Sequence, residues 1–459
     1  MRGKGIAFRA DGEKLKREAV YARSIGRDRS KPASTVAGCA NTYRASSIFA
    51  SVYNSRKACF KAERQQRRVD MRTGGSVAEA ISANEGAAHE EESFLTTAEE
   101  SDKRAEEALN RRVPSWIKLL IGASLAGIMV LSFAVGRYPI GPVELFQTIG
   151  GLANNTAALF LKAGFDISIP TADVDPTMAT ALMNIRLPRI LVVVMVGAAL
   201  AVAGASYQGM FKNPLVSPDI LGASAGASFG ACLALLLDMP SFYVQLFAFV
   251  GAMVAVGGAV WMNKMVNGYD AILGLVLGGI LVSTLFQACT SLVKFMADAN
   301  DKLPAITFWL MGSFARIDQN DFWMILLPMA AGFVLLMLER WKLNVLSFGE
   351  EEAKSLGINT KQVRLVVIFA STLIVACSVA VSGIVGWVGL VIPHLARAVV
   401  GPNYKALLPA SMFIGASYLL LVDDLARLAS STEIPIGILT AILGVPFFVF
   451  IFRHNMKGW

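Results

Sequence analysis

Arg186 and Arg189 stand three residues apart around Pro188, where a long apolar stretch begins, and Asp423, Asp424 and Arg427 close another such stretch. Ionisable side chains at membrane depth are costly, so they are functional candidates by default. A planar guanidinium fork suits two-point capture of a carboxylate, which makes both groups candidate docking points for an acidic partner. The plainer alternative is structural. Arg186 and Arg189 then snorkel to the interface, and Asp423 pairs with Arg427 one helical turn on. Spacing alone leaves the two readings level.

A second concentration of charge lies between two apolar stretches, in the run Ser347-Phe348-Gly349-Glu350-Glu351-Glu352-Ala353-Lys354-Ser355-Leu356-Gly357. A bilayer cannot hold it, so it faces water. Ser347 followed three residues later by Glu350 predicts a capping box, and Gly357 predicts a left-handed C-cap. Phe348, Leu356 and Ile358 give this short helix an apolar edge, suited to being gripped by a partner in the aqueous phase.

Other chemistry is missing from the sequence. No G-x-x-x-x-G-K-[ST] phosphate loop occurs, so any ATP hydrolysis belongs to another chain. No nucleophile has a base at useful spacing, and the chain is not expected to be an enzyme. His89, His394 and His454 lie far apart and make no metal-ligand cluster. Cys39, Cys59, Cys232, Cys289 and Cys377 show no paired spacing, and the last three read as small core residues. Asn213-Pro214-Leu215 and Glu433-Ile434-Pro435-Ile436-Gly437 are either helix breaks lining a cavity or plain turns, with turns favoured. Phe308, Trp309, Met311 and Trp387 line a substrate path or simply pack.

The elements that must position these residues are membrane helices. Of 459 residues, 54% are hydrophobic and 17% charged, with a mean hydropathy of +0.53. The charge is concentrated at one end: 17 Lys/Arg against 6 Asp/Glu up to Asp70, then 5 against 10 up to Arg112. Residues 1–112 therefore read as a polar extension without apolar periodicity, expected to be disordered and not a nucleic-acid arm. Its first 70 residues hold no apolar signal-peptide core, so no cleavable signal peptide is expected, and a further reading places the translational start near Met71. Residues 113–459 read as the membrane domain.

A span needs about 20 apolar residues. Ten windows qualify, near 116–135, 190–211, 220–237, 243–262, 272–295, 322–338, 363–381, 385–400, 407–424 and 436–452, which predicts an all-α integral membrane protein of about ten transmembrane helices. The eighth window is short and carries Pro393. Placing both termini inside puts 12 Lys/Arg on the cytoplasmic side and 8 on the outer side. That bias leaves the charged helix in the cytoplasm and the arginines outside. Small residues recur every four positions, as in Gly197, Ala201 and Ala205, in Gly222, Gly226 and Gly230, and in Gly251, Ala255 and Ala259. Such ridges let backbones approach closely in a compact bundle.

Several long segments resemble the FecCD-type, BtuC-like permeases, membrane subunits of ABC importers for ferric siderophores, haem and vitamin B12. The matching pieces are RLPR at Arg186, GAALAVAGASYQGMFKNPLVSPDILGASAGAS from Gly197, FWLMGSF from Phe308, LSFGEEEAKSLGI from Leu346, SGIVGWVGLVIPHLAR from Ser382 and EIPIGILTAILGVPFF from Glu433. The resemblance covers about 114–452 and leaves the N-terminal extension without a counterpart. It implies a ten-helix subunit of the bacterial cytoplasmic (inner) membrane, paired with a second permease subunit around a central path. It also implies a separate ABC ATPase subunit that uses ATP and Mg, an extracytoplasmic substrate-binding protein, and no cofactor bound by this chain.

Within that resemblance, the segment near 346–358 supplies the ATPase-coupling helices, through Gly349, Glu350, Glu351, Glu352, Ala353, Lys354, Leu356 and Gly357. Arg186, Arg189 and Arg427 receive carboxylates of the binding protein, which tilts the balance towards docking. A ferric siderophore is the expected cargo, with haem or cobalamin next. Two other classes compete. An ion-coupled secondary transporter would want a carboxylate or His in mid-span, and only Asp423 and Asp424 come near. A non-transporting receptor would use the charged loop merely to recruit a cytoplasmic partner.

Overall fold

A computed structural model describes residues 113–136, 141, 143–151, 154–155, 173, 175–265, 271–430 and 432–455. The N-terminal extension, Arg137 and Lys162 lie outside the described residues. Within them the chain is helical and no strand occurs. The helices are α1 Ser115–Ala134, α2 Pro176–Thr180, α3 Leu187–Phe211, α4 Ala223–Leu236, α5 Ser241–Met265, α6 Ala271–Met296, α7 Lys302–Met311, α8 Gln319–Phe348, α9 Glu350–Ser355, α10 Thr360–Ser382, α11 Val388–Val400, α12 Tyr404–Ala429 and α13 Ile436–Asn455.

Seven of the described helical stretches are long and apolar enough to cross a membrane, and α4, α11 and the apolar part of α13 are shorter. The ten windows predicted from hydropathy each fall on one of these ten. The helices α2 and α7, and the π-helical turn Ala181–Arg186 that runs into α3, fall outside those windows.

The bundle is built around α3 and α10, whose side chains are buried along most of their length. Around them the outer helices expose apolar residues such as Leu119, Phe295, Leu327 and Leu338, the surface a lipid-facing helix presents because hydrocarbon is as apolar as the side chain. The small-residue ridges interlock. A Cβ added to Gly226 on α4 would lie 2.2 Å from the carbonyl oxygen of Gly251 on α5, and one on Gly251 would lie 2.2 Å from that of Gly226. Gly197 on α3 and Gly415 on α12 meet in the same way, at 2.4 and 2.5 Å. At these crossings even a methyl group would force the backbones apart.

Asn213 lies in a turn. Lys212 adopts a left-handed conformation, and the Asn213 side chain accepts a hydrogen bond from the Leu215 amide. Cys232 and Cys377 are buried free thiols in the bundle, and Cys289 is half-buried.

Candidate functional sites at the two ends of the bundle

The two charged groups sit at opposite ends of α12. At its N-terminus, the Asn344 side chain near the end of α8 accepts from the Tyr404 amide at 2.8 Å and donates to Asn403 Oδ1 at 3.0 Å. At its C-terminal end come Asp423, Asp424 and Arg427. Twenty-six helical residues span about 39 Å, so the charged segment and the arginine group are separated by roughly the thickness of a membrane.

At the arginine end, the helix α3 carries Arg189 in its first turn, and the preceding π-helical turn carries Arg186. Pro188 also lies in the first turn of α3, where it cannot donate to the preceding turn, and that turn is π-helical. The guanidinium of Arg189 is enclosed by two carboxylates. Its Nε donates to Asp423 Oδ2 at 3.0 Å and its Nη2 to Asp423 Oδ1 at 2.7 Å. On its other side Nη1 and Nη2 donate to Glu433 Oε1 and Oε2 at 3.1 and 2.9 Å. Both forks are two-point, the strongest geometry available to Arg.

Arg427 extends the network. Its Nε lies 3.2 Å from Asp423 Oδ2, and its Nη2 pairs with Asp424. It also donates from Nη1 to the Val135 carbonyl at 3.1 Å and from Nη2 to Ser132 Oγ, which in turn donates to Asp424 at 2.7 Å. Arg186 donates to the Phe133 carbonyl. The orphan carbonyls at the C-terminus of α1 are thus satisfied by two side chains from other helices.

The structure therefore brings Arg186, Arg189 and Arg427 together, each under 10% exposed. The i, i+4 pair of Asp423 with Arg427 forms, but the forks of Arg189 and Arg427 are engaged by this chain's own carboxylates. Glu433, which sequence reasoning assigned only to a turn, is the member it missed. The available signal was charge parity: three arginines and two aspartates leave one positive charge to be matched in a place where unmatched charge is costly.

At the other end, the predicted capping box does not form. Ser347 is still inside α8, and its hydroxyl donates back to the Asn344 carbonyl at 2.6 Å. Gly349 begins α9 without a side-chain cap, and the Glu350 carboxylate turns away to pair with Arg364 at the start of α10. A serine hydroxyl that can reach a carbonyl in its own helix has no need to serve the next one. The predicted C-cap is present. Gly357 has φ +77°, its amide donates to the Lys354 carbonyl at 2.9 Å, and the Ile358 amide donates to that of Ala353 at 3.0 Å. This is a Schellman motif, with Ile358 and Ala353 both buried as its apolar contact.

The eight coupling candidates thus divide by direction. Gly349 and Ala353 are buried, and Glu350 and Glu352 are half-buried. Glu351, Lys354, Leu356 and Gly357, with Ser355, form the exposed face. Of the aromatic candidates, Phe308 is exposed, whereas Trp387 packs against Phe448 with ring centroids 6.4 Å apart. Asp219, in the turn between α3 and α4, carries a carboxyl raised above its usual range by burial, opposed by the hydroxyl of Ser224 that donates to it.

The profile of the FecCD transport family matches residues 119–454, nearly the whole bundle just described. The chain belongs to the FecCD family of ABC-importer permeases. Among its relatives, the molybdate import system permease protein MolB of Haemophilus influenzae is 38% identical over 351 residues, covering 75% of this chain and 98% of MolB. The cobalamin import system permease protein BtuC of Halobacterium salinarum is 37% identical over 307 residues, covering 67% and 81%. A metal-chelate type ABC transporter solved in an inward-facing conformation superposes with a TM-score of 0.64 at 36% identity, covering 74% of this chain and 99% of that one. The fold is therefore that of a BtuC-like ABC-importer permease, a multi-pass membrane protein.

Proposed function

We propose that this FecCD permease is the gated path of an importer in which a separate ATPase drives the motion and an extracytoplasmic binding protein delivers the cargo. The observation that carries the reading is the placement of an exposed, capped, charged helix at one end of α12 and a dense arginine–carboxylate network at the other. One end suits a cytoplasmic motor and the other an acidic docking partner. Both termini and α9 then lie in the cytoplasm of a cell with this chain in its inner membrane, in keeping with the Lys/Arg bias. Glu351, Lys354 and Leu356 meet the ATPase, and a second permease subunit completes the path.

Docking on Arg186, Arg189 and Arg427 works as an exchange. Glu433 is the network carboxylate with the greatest side-chain exposure, 17% against 0% for Asp423 and 7% for Asp424. A carboxylate of the binding protein takes its place on the Arg189 fork, without the desolvation of a second bare ion. Such charge pairs chiefly set encounter rate and partner choice.

The cargo is a ferric chelate of the siderophore type. The MolB identity favours molybdate as a second reading. Uptake of iron-55 chelates, labelled molybdate and labelled cobalamin into a strain lacking this gene separates them. Loss of ferric chelate uptake alone supports the first reading, and loss of molybdate uptake alone replaces it with the second.

A further inference from the structure

Glu350 opens the charged helix, yet its carboxylate points back into the bundle. The geometry points to Glu350 and Arg364 as the positioning pair that fixes α9 against α10, so that a push on α9 moves a buried helix; this rests on the coupling role proposed above. Glu350 pairs with Arg364, whose side chain is 8% exposed, while the Glu350 side chain is 32% exposed. The Arg364 Nε finds no hydrogen-bond partner among the described residues, so Glu350 bears most of the burden of neutralising this guanidinium.

Lys354 also reaches Glu350, at 3.6 Å, but from an exposed position where an ion pair adds little. The C-terminal end of α9 is held independently by the Schellman bonds of Gly357 and Ile358. A six-residue helix has too few internal bonds to be rigid by itself, and here its N-terminal end is tied to α10 through Glu350, while its buried Ala353 and the following Ile358 join the core of the bundle.

What it is fastened to explains the arrangement. The helix α10 is buried along most of its length, with Val367, Ala370, Ile374 and Ala376 wholly covered. Its far end meets α7 and α13: the Ser313 amide donates to the Ser382 carbonyl at 2.8 Å, and the Ile436 amide donates to the adjoining Gly312 carbonyl at 3.0 Å. A displacement applied to the outward face of α9 therefore enters a close-packed element that touches the opposite end of the bundle. Packed cores pass on such shifts because they do not compress. Glu350 is thus a positioning residue, and contact with the motor falls to Glu351, Lys354, Ser355 and Leu356.

The test has two arms. In the first, amide hydrogen exchange is measured on the purified permease alone for Glu350→Gln, Arg364→Glu, the swap Glu350→Arg with Arg364→Glu, and Glu351→Gln. Exchange across residues 350–358 is expected to rise about tenfold or more in the first two, to return towards the wild-type rate in the swap, and to stay unchanged in Glu351→Gln. Unchanged exchange in Glu350→Gln, or no recovery in the swap, overturns the pairing whatever the chain transports. In the second arm, the permease is assembled with its ATPase and uptake per ATP hydrolysed is measured. Glu350→Gln lowers that ratio several-fold with ATPase affinity unchanged, and the swap restores it. A loss of ATPase affinity that the swap does not repair would make Glu350 a direct contact and overturn its positioning role.

Discussion

Arg189 on α3 holds Asp423 on α12 through two parallel hydrogen bonds, Nε to Oδ2 at 3.0 Å and Nη2 to Oδ1 at 2.7 Å, and neither side chain is exposed. The bond joins two helices already in contact at Gly197 and Gly415. It therefore locks the register of a crossing that the glycines only permit. A buried pair of this kind is weak evidence for net stability, but removing one partner strands the other.

Asp423→Ala should accordingly lower stability by about 3–5 kcal/mol, since it leaves both Arg189 and Arg427 short of a counter-ion. Thermal unfolding of the purified chain in detergent checks this. Replacing Arg189 with Glu gathers three carboxylates around one point and should be at least as damaging, with loss of the folded protein from membranes. A variant of that kind cannot by itself report on docking.

Glu433→Gln separates docking from stability. Its carboxylate is partly exposed and only one fork of Arg189 is weakened, so the stability loss should stay near 1 kcal/mol. Because the internal competitor is neutralised, the complex with the binding protein should tighten several-fold. Titration of the cognate binding protein onto the permease in nanodiscs measures it, and weaker binding would argue against exchange.

Gly226→Leu should destabilise by about 1–3 kcal/mol or more, because a side chain there meets the Gly251 carbonyl and must push α4 from α5. Gly257, with nothing within 4 Å of an added Cβ, should accept Ala without loss. Comparing the unfolding temperatures of the two variants tests the interlocked ridges.

Gly357→Ala meets open space, so its cost comes only from the left-handed backbone, φ +77°, and should be about 1 kcal/mol. It should loosen α9 in hydrogen exchange while leaving α10 protected. By contrast, Leu356→Ala removes an exposed apolar contact and should weaken ATPase binding without altering exchange.

The helices were legible because length and apolarity alone define a span, and the ten windows each correspond to a helix. The small-residue ridges were legible in part: Gly226 and Gly230 meet α5 as their spacing predicts, whereas Gly222 has φ +84°, caps α4 and faces Ser283 on α6. The start of the charged helix was not. Ser347 and Glu350 satisfy the spacing of a capping box, but α8 continues through Phe348 and a buried arginine fourteen residues away competes for Glu350. Glu433 sits in a segment with the residue types of a turn, and its partner, Arg189, is 244 residues distant. Pairings of this kind depend on which helix ends the fold brings together, and local spacing carries no record of them.

In the proposed function, energy enters from a separate ATPase. Its most direct measurement is cargo accumulation in proteoliposomes holding this permease, its ATPase and the loaded binding protein, compared with vesicles holding the permease alone. Accumulation against a gradient only when ATPase and ATP are both present is the predicted result. Concentrative uptake by the permease alone, driven by an ion gradient, would contradict it.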